Sequence, residues 1–206
     1  MSVKSAKFNK RAILIIVAVI AAIALVGGSL AWFVTQSSLM QRFSISGIKA
    51  GAEVYFDNGS GKIKADKFMD KDGLYVLSLD SSADNYIGNL RADVTLTGKA
   101  VVRSMINLEW TDSDGSVSQY TSAVPFEFAE DWYDNRGTDY CVYYMGKDLS
   151  GKADFDRTAL ITGFDSGKFD TFGFDEGTAV RASIRVDAVQ VNRYIQIWDI
   201  EKLPWK

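Results

Sequence analysis

The sequence predicts an all-β domain, a jelly-roll-like antiparallel sandwich, preceded by an N-terminal hydrophobic helix. The strongest observation is a strict alternation of apolar and polar residues from Val180 to Ala188, which is typical of a half-buried strand. Glycine (17 residues) far outnumbers proline (2), and aromatic residues make up 13% of the chain, a composition that favours strands and tight turns. Helical periodicity is hard to find after residue 31, so we do not expect a parallel sheet with intervening helices.

The first 31 residues combine a basic stretch with an apolar run. Four basic residues and no acid lie between Lys4 and Arg11, and residues 12–26 are apolar without interruption. A positive flank holds the N-terminus in the cytoplasm, so the chain after the apolar run is expected outside it. Ser29 and Ala31 are small, as the subsites of a signal peptidase require, which predicts cleavage after Ala31.

An uncleaved membrane anchor is the alternative. The run over residues 12–26 is shorter than the roughly 20 residues that cross a bilayer, but extension to residue 34 makes it long enough. Residues 12–34 therefore contact the membrane at least before processing. We predict a signal peptide or anchor over residues 1–31 and an extracellular or cell-surface domain over residues 32–206.

Residues 32–47 form an apolar segment that contains no proline and is competent to form a strand. In one interpretation the segment pairs within its own sandwich. In the other it adds as a strand to the next subunit, which gives backbone hydrogen bonds and side-chain pockets. Repeated head-to-tail addition makes a filament, because a heterologous contact does not close on itself. The residues predicted to carry this strand donation are Trp32, Phe33, Val34, Leu39, Phe43 and Ile45.

The rest of the chain reads as short strands separated by turns. Asp57–Gly61 has the composition of a hairpin loop, and a change of phase at Val189 predicts a bulge before a last strand. The predicted strands are Phe43–Ile48, Ala52–Phe56, Lys62–Asp66, Leu74–Leu79, Ala92–Thr97, Val101–Trp110, Pro125–Phe128, Tyr140–Met145, Thr158–Thr162, Val180–Ala188 and Tyr194–Trp198.

Composition argues against several classes of function. The chain has no histidine, which removes Ser-His-Asp and Cys-His nucleophiles and His-based zinc sites. Cys141 is the single cysteine, so it forms no intrachain disulfide or thiolate metal cage; a small core residue is expected there, and an intermolecular disulfide is the alternative. The first 31 residues carry +4 of a net −3, which leaves −7 on the remainder and argues against nucleic-acid binding. We predict no enzymatic activity, cofactor or metal.

Two polar regions have a second interpretation. Carboxylates and aromatic rings alternate between Asp131 and Tyr144, and this cluster would suit a glycan or calcium. Solvated turns and cross-strand packing explain the same residues. The turn Asp112–Gly115 resembles the start of a calcium loop but lacks the glutamate that completes it.

Three stretches resemble the TasA/camelysin family of exported proteins. They are Leu25–Ala31, the aromatic pair Trp32–Phe33, and Phe43–Gly47; Val186–Val191 with Trp198 is similar to the family's closing strand. The resemblance implies cleavage after Ala31 by a SipW-type signal peptidase and a jelly-roll subunit of a matrix fibre. Val34–Thr35 stands where the family usually has an aspartate, and without histidine the protease activity ascribed to some members is not expected.

The predicted function is therefore an exported structural protein, the subunit of an extracellular filament or biofilm-matrix fibre that assembles with copies of itself by N-terminal strand donation. Its expected partners are other copies, the signal peptidase and, before cleavage, the membrane. The alternative is a monomeric, membrane-anchored surface domain that binds a ligand or glycan through residues 131–144.

Overall fold

The structure, a computed structural model, describes residues 47–111, 115–119, 121–169 and 179–206, which contain eleven strands and two short α-helices. Contacts divide the chain into two units, Met1–Phe43 and Ser44–Lys206, and all described residues belong to the second. In chain order the elements are β1 (Lys49–Asp57), β2 (Lys62–Lys64), β3 (Tyr75–Leu77), β4 (Leu90–Thr97), β5 (Val101–Thr111), β6 (Val117–Gln119), β7 (Phe126–Phe128), β8 (Trp132–Asp134), α1 (Arg136–Asp139), β9 (Cys141–Tyr144), β10 (Arg157–Phe164), β11 (Ala179–Val189) and α2 (Tyr194–Trp198).

The predicted N-terminal signal or anchor lies outside the described residues, as does most of the predicted strand Phe43–Ile48. Within the described ranges, no helix has both the length and the apolar character needed to cross a membrane.

The strands form two antiparallel sheets, as the alternation predicts. The first sheet has the order β2-β1-β4-β10-β7, and the second has the order β3-β11-β5-β9-β8, with β6 beside one end of β5. Every predicted strand between Ala52 and Ala188 overlaps a strand of the structure. The predicted hairpin over Asp57–Gly61 joins β1 to β2; its Gly59 has φ +81°, and the Asp57 carboxylate accepts a hydrogen bond from the Gly59 N–H at 3.0 Å.

The second sheet is organised by the ladder between β5 and β11. Its register is continuous from the pair Ala179–Thr111 to the pair Val189–Val101. The bulge predicted at Val189 is therefore wrong: this residue keeps the ordinary alternation and lies on the outer face of the sheet. It is buried there by a second apolar cluster, so both faces of β11 are apolar at this end.

The main core lies between the sheets and receives alternate residues from β1, β4, β5, β10 and β11. Because inward residues of both sheets enter one cluster, the architecture is a two-layer sandwich. The largest fully buried members of this cluster are Trp110, Phe56, Ile87, Leu90, Ile106, Leu108, Leu160, Ile161 and Val94.

Residues 190–206, the C-terminal segment, cover part of the outer face of the second sheet. Trp198 lies 5.9 Å from the ring of Tyr143, and the Arg103 guanidinium stacks on Trp198 at 4.6 Å. The strand predicted over Tyr194–Trp198 is wrong, because these residues form α2. Tyr194 and Trp198 are one helical turn apart and both pack on the cluster, whereas Ile195, which lies between them, is exposed.

A buried arginine joins neighbouring elements on one lateral side of the sandwich, where β7 and β8 meet. Arg136 is 4% exposed, and its Nε and Nη2 donate to the two carboxylate oxygens of Asp134, each at 2.9 Å. Its Nη1 donates to the carbonyls of Thr121 and Val124 at 2.8 and 2.9 Å, and its guanidinium lies 4.8 Å from the ring of Phe128. The guanidinium thus ties a loop of the chain to both edge strands.

We expect Arg136→Lys to destabilise the domain markedly. A lysine provides one charge but cannot make the fork to Asp134 and the two carbonyl bonds together, so buried acceptors lose their donors. The free energy of unfolding should fall by about 2–4 kcal/mol, measured by urea denaturation. Lys152→Arg, at an exposed position, is the control and should change little; an unchanged midpoint for Arg136→Lys would contradict this role.

Candidate strand-acceptor edge

The residues predicted to act in cleavage and strand donation lie outside the described residues. These are Ser29, Ala31, Trp32, Phe33, Val34, Leu39, Phe43 and Ile45. The described chain begins at Gly47, two residues before β1, which lies next to the edge strand β2 in the first sheet.

Among the strands that the structure describes, β1 is covered at this edge along only part of its length. On one side β4 pairs with β1 from Lys49 to Phe56. On the other side β2 pairs only with Tyr55–Asp57, and it does not extend along residues 49–54. The three-residue strand β2 therefore pairs with only three of the nine residues of β1.

In the second sheet β11 is covered in a similar way. On one side β5 pairs with all of β11. On the other side β3 pairs only with Val180–Ala182, and it does not extend along residues 183–189. At about 3.3 Å per residue, the seven residues beyond β3 span roughly 23 Å, and no other described strand pairs with them on this side.

The exposure of the inward side chains of β11 changes at the position where β3 ends. Beside β3, Val180 and Ala182 are 0% and 1% exposed. The next three inward residues, Ile184, Val186 and Ala188, still pack against the main core but are only half-buried. All five side chains lie on the same face of the same strand, so the change in their exposure coincides with the end of the pairing with β3. An added strand in line with β3 would bury these three side chains.

The two partly covered strands meet at one side of the sandwich. β1 of the first sheet packs against β11 of the second. We call residues 49–54 of β1 and residues 183–189 of β11 the lateral edge. On the opposite side of the sandwich Arg136 joins Asp134 of β8 to the carbonyls of Thr121 and Val124.

The alternative site, the acidic and aromatic residues from Asp131 to Tyr144, is largely engaged in packing. Trp132 is buried, and its Nε1 donates to the carbonyl of Ala159 at 2.9 Å. Asp134 binds Arg136, and Asp139 accepts the Tyr143 hydroxyl at 2.6 Å. In the described ranges, no group of three or more Cys, Asp or Glu residues is arranged to hold a metal ion. The predicted loop around Trp132 includes β8.

Burial in this region also raises the pKa of two side chains. Burial raises the pKa of the Cys141 thiol from an ordinary 9.0 to about 12, and the nearby Arg103 guanidinium lowers it only in part. Burial, and then the hydrogen bond to Asp139, raise the pKa of Tyr143. Cys141 therefore remains a neutral thiol at physiological pH, as a core residue does.

Comparison with protein-family models, with curated proteins and with solved structures finds no match for this chain.

The sequence pattern missed the lateral edge, although it identified the strand that forms it. The alternation from Val180 to Ala188 predicts which side chains of β11 point inward. It does not predict that pairing with β3, about a hundred residues earlier in the chain, stops at Ala182, which lies opposite Tyr75, the first residue of β3. The signal for this limit in the sequence is the turn Asp72–Gly73, which comes just before Tyr75 and so stops β3 at Ala182.

Two valines on one face of β11 provide a test of the exposure change. Val180→Ala should lower the free energy of unfolding by about 2 kcal/mol, because it leaves a cavity in a closed core. Val186→Ala should cost about half as much, because its site is already partly solvated. Urea denaturation of monomeric protein measures both; equal losses would show that the lateral edge is as well packed as the region beside β3.

The domain should lose stability in alkali. Because the pKa of Cys141 is higher in the folded state, the thiol contributes stability that is complete below pH 9 and is lost as the pH rises towards about 12. Thermal unfolding between pH 8 and 11 should show this decline. In Cys141→Ala the slope should be shallower, although its stability at pH 8 is lower; parallel slopes for the two proteins would contradict the assignment.

Proposed function

We propose that this chain is an exported structural protein, the subunit of an extracellular filament or biofilm-matrix fibre. In this proposal residues 32–47 of one copy add as a strand to the lateral edge of the next copy. The sandwich is then a jelly-roll-like subunit whose second sheet is completed by its neighbour. The observation that carries the proposal is the loss of burial along β11 beyond the end of β3.

The chemistry of the lateral edge favours a strand as its occupant. A strand added to β11 gains backbone hydrogen bonds along seven residues and buries alternate side chains against Ile184, Val186 and Ala188. The N-terminal segment has the apolar, β-branched and aromatic composition that such a position requires.

The placement of one donor segment and one lateral edge in each copy favours linear assembly. The donor segment precedes β1, and the lateral edge includes residues 183–189 of β11. A subunit with one donor segment and one acceptor edge makes a heterologous contact, which propagates as a filament unless the rotation closes a ring. The resemblance to the TasA/camelysin family supports the same proposal, with export and cleavage after Ala31.

The proposal predicts that assembly requires residues 32–42. The full chain, expressed for export in a host with the processing peptidase, should yield high-molecular-weight filaments visible by electron microscopy. Deletion of residues 32–42 should leave soluble monomer with an unchanged circular dichroism spectrum. Filaments that form equally well after the deletion would refute strand donation.

The acceptor can be tested with a pair of lysine variants. Ile184→Lys places a charge on the inward side of the lateral edge and should abolish assembly, because an incoming strand would bury that charge. Ser183→Lys is the control, since the neighbouring residue points to the outer face, and it should still assemble. Thermal unfolding of both variants verifies that the domain is folded.

The mature N-terminus distinguishes this proposal from the membrane-anchored alternative. N-terminal sequencing of the filament material should begin at Trp32. An intact basic terminus in the membrane fraction, at monomer size, would instead support an anchored binding domain.

A further inference from the structure

The hairpin between β1 and β2 carries a dipeptide with a chemistry of its own. Asn58 is followed by Gly59, and it is the only asparagine of the chain that precedes a glycine. Both residues are exposed, and the backbone of Gly59 has φ +81°. A side chain at position 59 would meet nothing within 4 Å. The glycine is therefore required by the conformation of the turn and not by close packing.

An asparagine before a glycine has a reaction open to it that needs no second protein. The peptide nitrogen of the next residue attacks the carbon of the asparagine side-chain amide and closes a five-membered ring. The nitrogen has to lose its proton, and negative charge develops on the amide oxygen as the new bond forms. A base at the N–H and a hydrogen-bond donor at the oxygen both favour this step.

The hairpin places one such group at each of the two atoms. The Asp57 carboxylate accepts the Gly59 N–H at 3.0 Å, so a base lies within reach of the proton that has to leave. The Ser60 N–H donates to Oδ1 of Asn58 at 2.9 Å, so a donor already points at the oxygen that becomes negative. The folded turn therefore holds the side-chain amide between a base and an oxyanion donor before the reaction begins.

We propose that Asn58–Gly59 is a self-modification site, at which the folded hairpin promotes conversion of the asparagine to isoaspartate and aspartate. The Gly59 nitrogen bonds to Cγ of Asn58 while Asp57 takes its proton. The proton passes to the side-chain nitrogen, which leaves as ammonia. Water then opens the succinimide ring at either carbonyl and yields isoaspartate or aspartate. This inference does not depend on the proposed filament.

The isoaspartate product changes the backbone of the turn. Its chain runs through Cβ, which adds one backbone atom between residues 58 and 59 and leaves a new carboxylate close to Asp57. Residues 58–61 join the pair Asp57–Lys62 of the β1–β2 ladder. Because the length of a hairpin loop fixes the register of its strands, the longer loop should weaken the pairing of β2 with β1.

Ageing of the purified full chain at physiological pH tests the site. Peptide mass mapping measures deamidation, and labelling by an isoaspartyl methyltransferase identifies isoaspartate. Asn58 should react about tenfold faster than Asn192, which is also exposed but precedes an arginine. Asn58→Gln is the control and should give no isoaspartate in this peptide, because its longer side chain does not form the five-membered ring. Unmodified Asn58 in the aged protein would overturn the proposal.

The role of the fold is tested by Asp57→Asn. Its amide oxygen still accepts the Gly59 N–H, but it is not a base, so the variant separates basicity from the shape of the turn. It should slow the reaction of Asn58 about tenfold, and unfolding in urea, which breaks both hydrogen bonds, should also slow it. Equal rates in the two folded proteins, or a faster reaction in urea, would refute promotion by the hairpin. Circular dichroism verifies that the variant is folded.

Hydrogen exchange of the aged protein tests the consequence for the sheet. Amides of β2 should exchange about tenfold faster once isoaspartate forms, whereas amides of β4, on the other side of β1, should not change. Asn58→Asp, measured before ageing, carries the added charge on an ordinary backbone and should exchange like the unmodified chain. Unchanged exchange in β2 of the isoaspartate form would refute the effect on pairing.

Discussion

The structure depends on the continuous ladder between β5 and β11. It joins residues about 80 positions apart, and its unbroken register decides which side chains of both strands point into the sandwich. On the outer face the same register places Asp187 beside Arg103, and Asp187 also accepts a hydrogen bond from the Arg185 Nε at 3.0 Å. Because β11 in this ladder is longer than β3, it extends beyond β3 and forms part of the lateral edge. A shorter β11 would have left nothing for a further strand to pair with.

Much of the sandwich could be predicted from local pattern, because half-buried strands carry their orientation in their alternation. β11 is the clearest case, and the hairpin after β1 follows from the residues that its turn requires. Predicted elements are wrong where the local pattern is ambiguous or where tertiary packing overrides it. Tyr194–Trp198 alternates over five residues, but a helix of one turn also separates its buried and exposed residues. The pattern around Trp132 predicts solvated turns, because the acidic residues that flank it conceal the short strand β8.

The candidate site was harder to predict than the fold, for a physical reason. A partly covered edge is a relation between described strands of different length that are distant in sequence, as β3 and β11 are. Arg136 was also missed, because its importance comes from carbonyls of Thr121 and Val124 that no side-chain pattern encodes. The sequence nevertheless predicted a strand-competent donor segment. The structure adds a partly covered edge, and we propose that this segment pairs there.

The C-terminal segment has a consequence for how the chain folds. Until it docks, the outer face of the second sheet exposes Val101, Tyr143 and Val189 beside the ladder, and a folding intermediate with an apolar sheet face is prone to aggregate. Docking covers this face and is secured by the Trp205 indole, which donates to the carbonyl of Leu149 at 3.0 Å. Docking of this segment therefore removes an apolar surface that would favour aggregation of a sheet built from contacts distant in sequence.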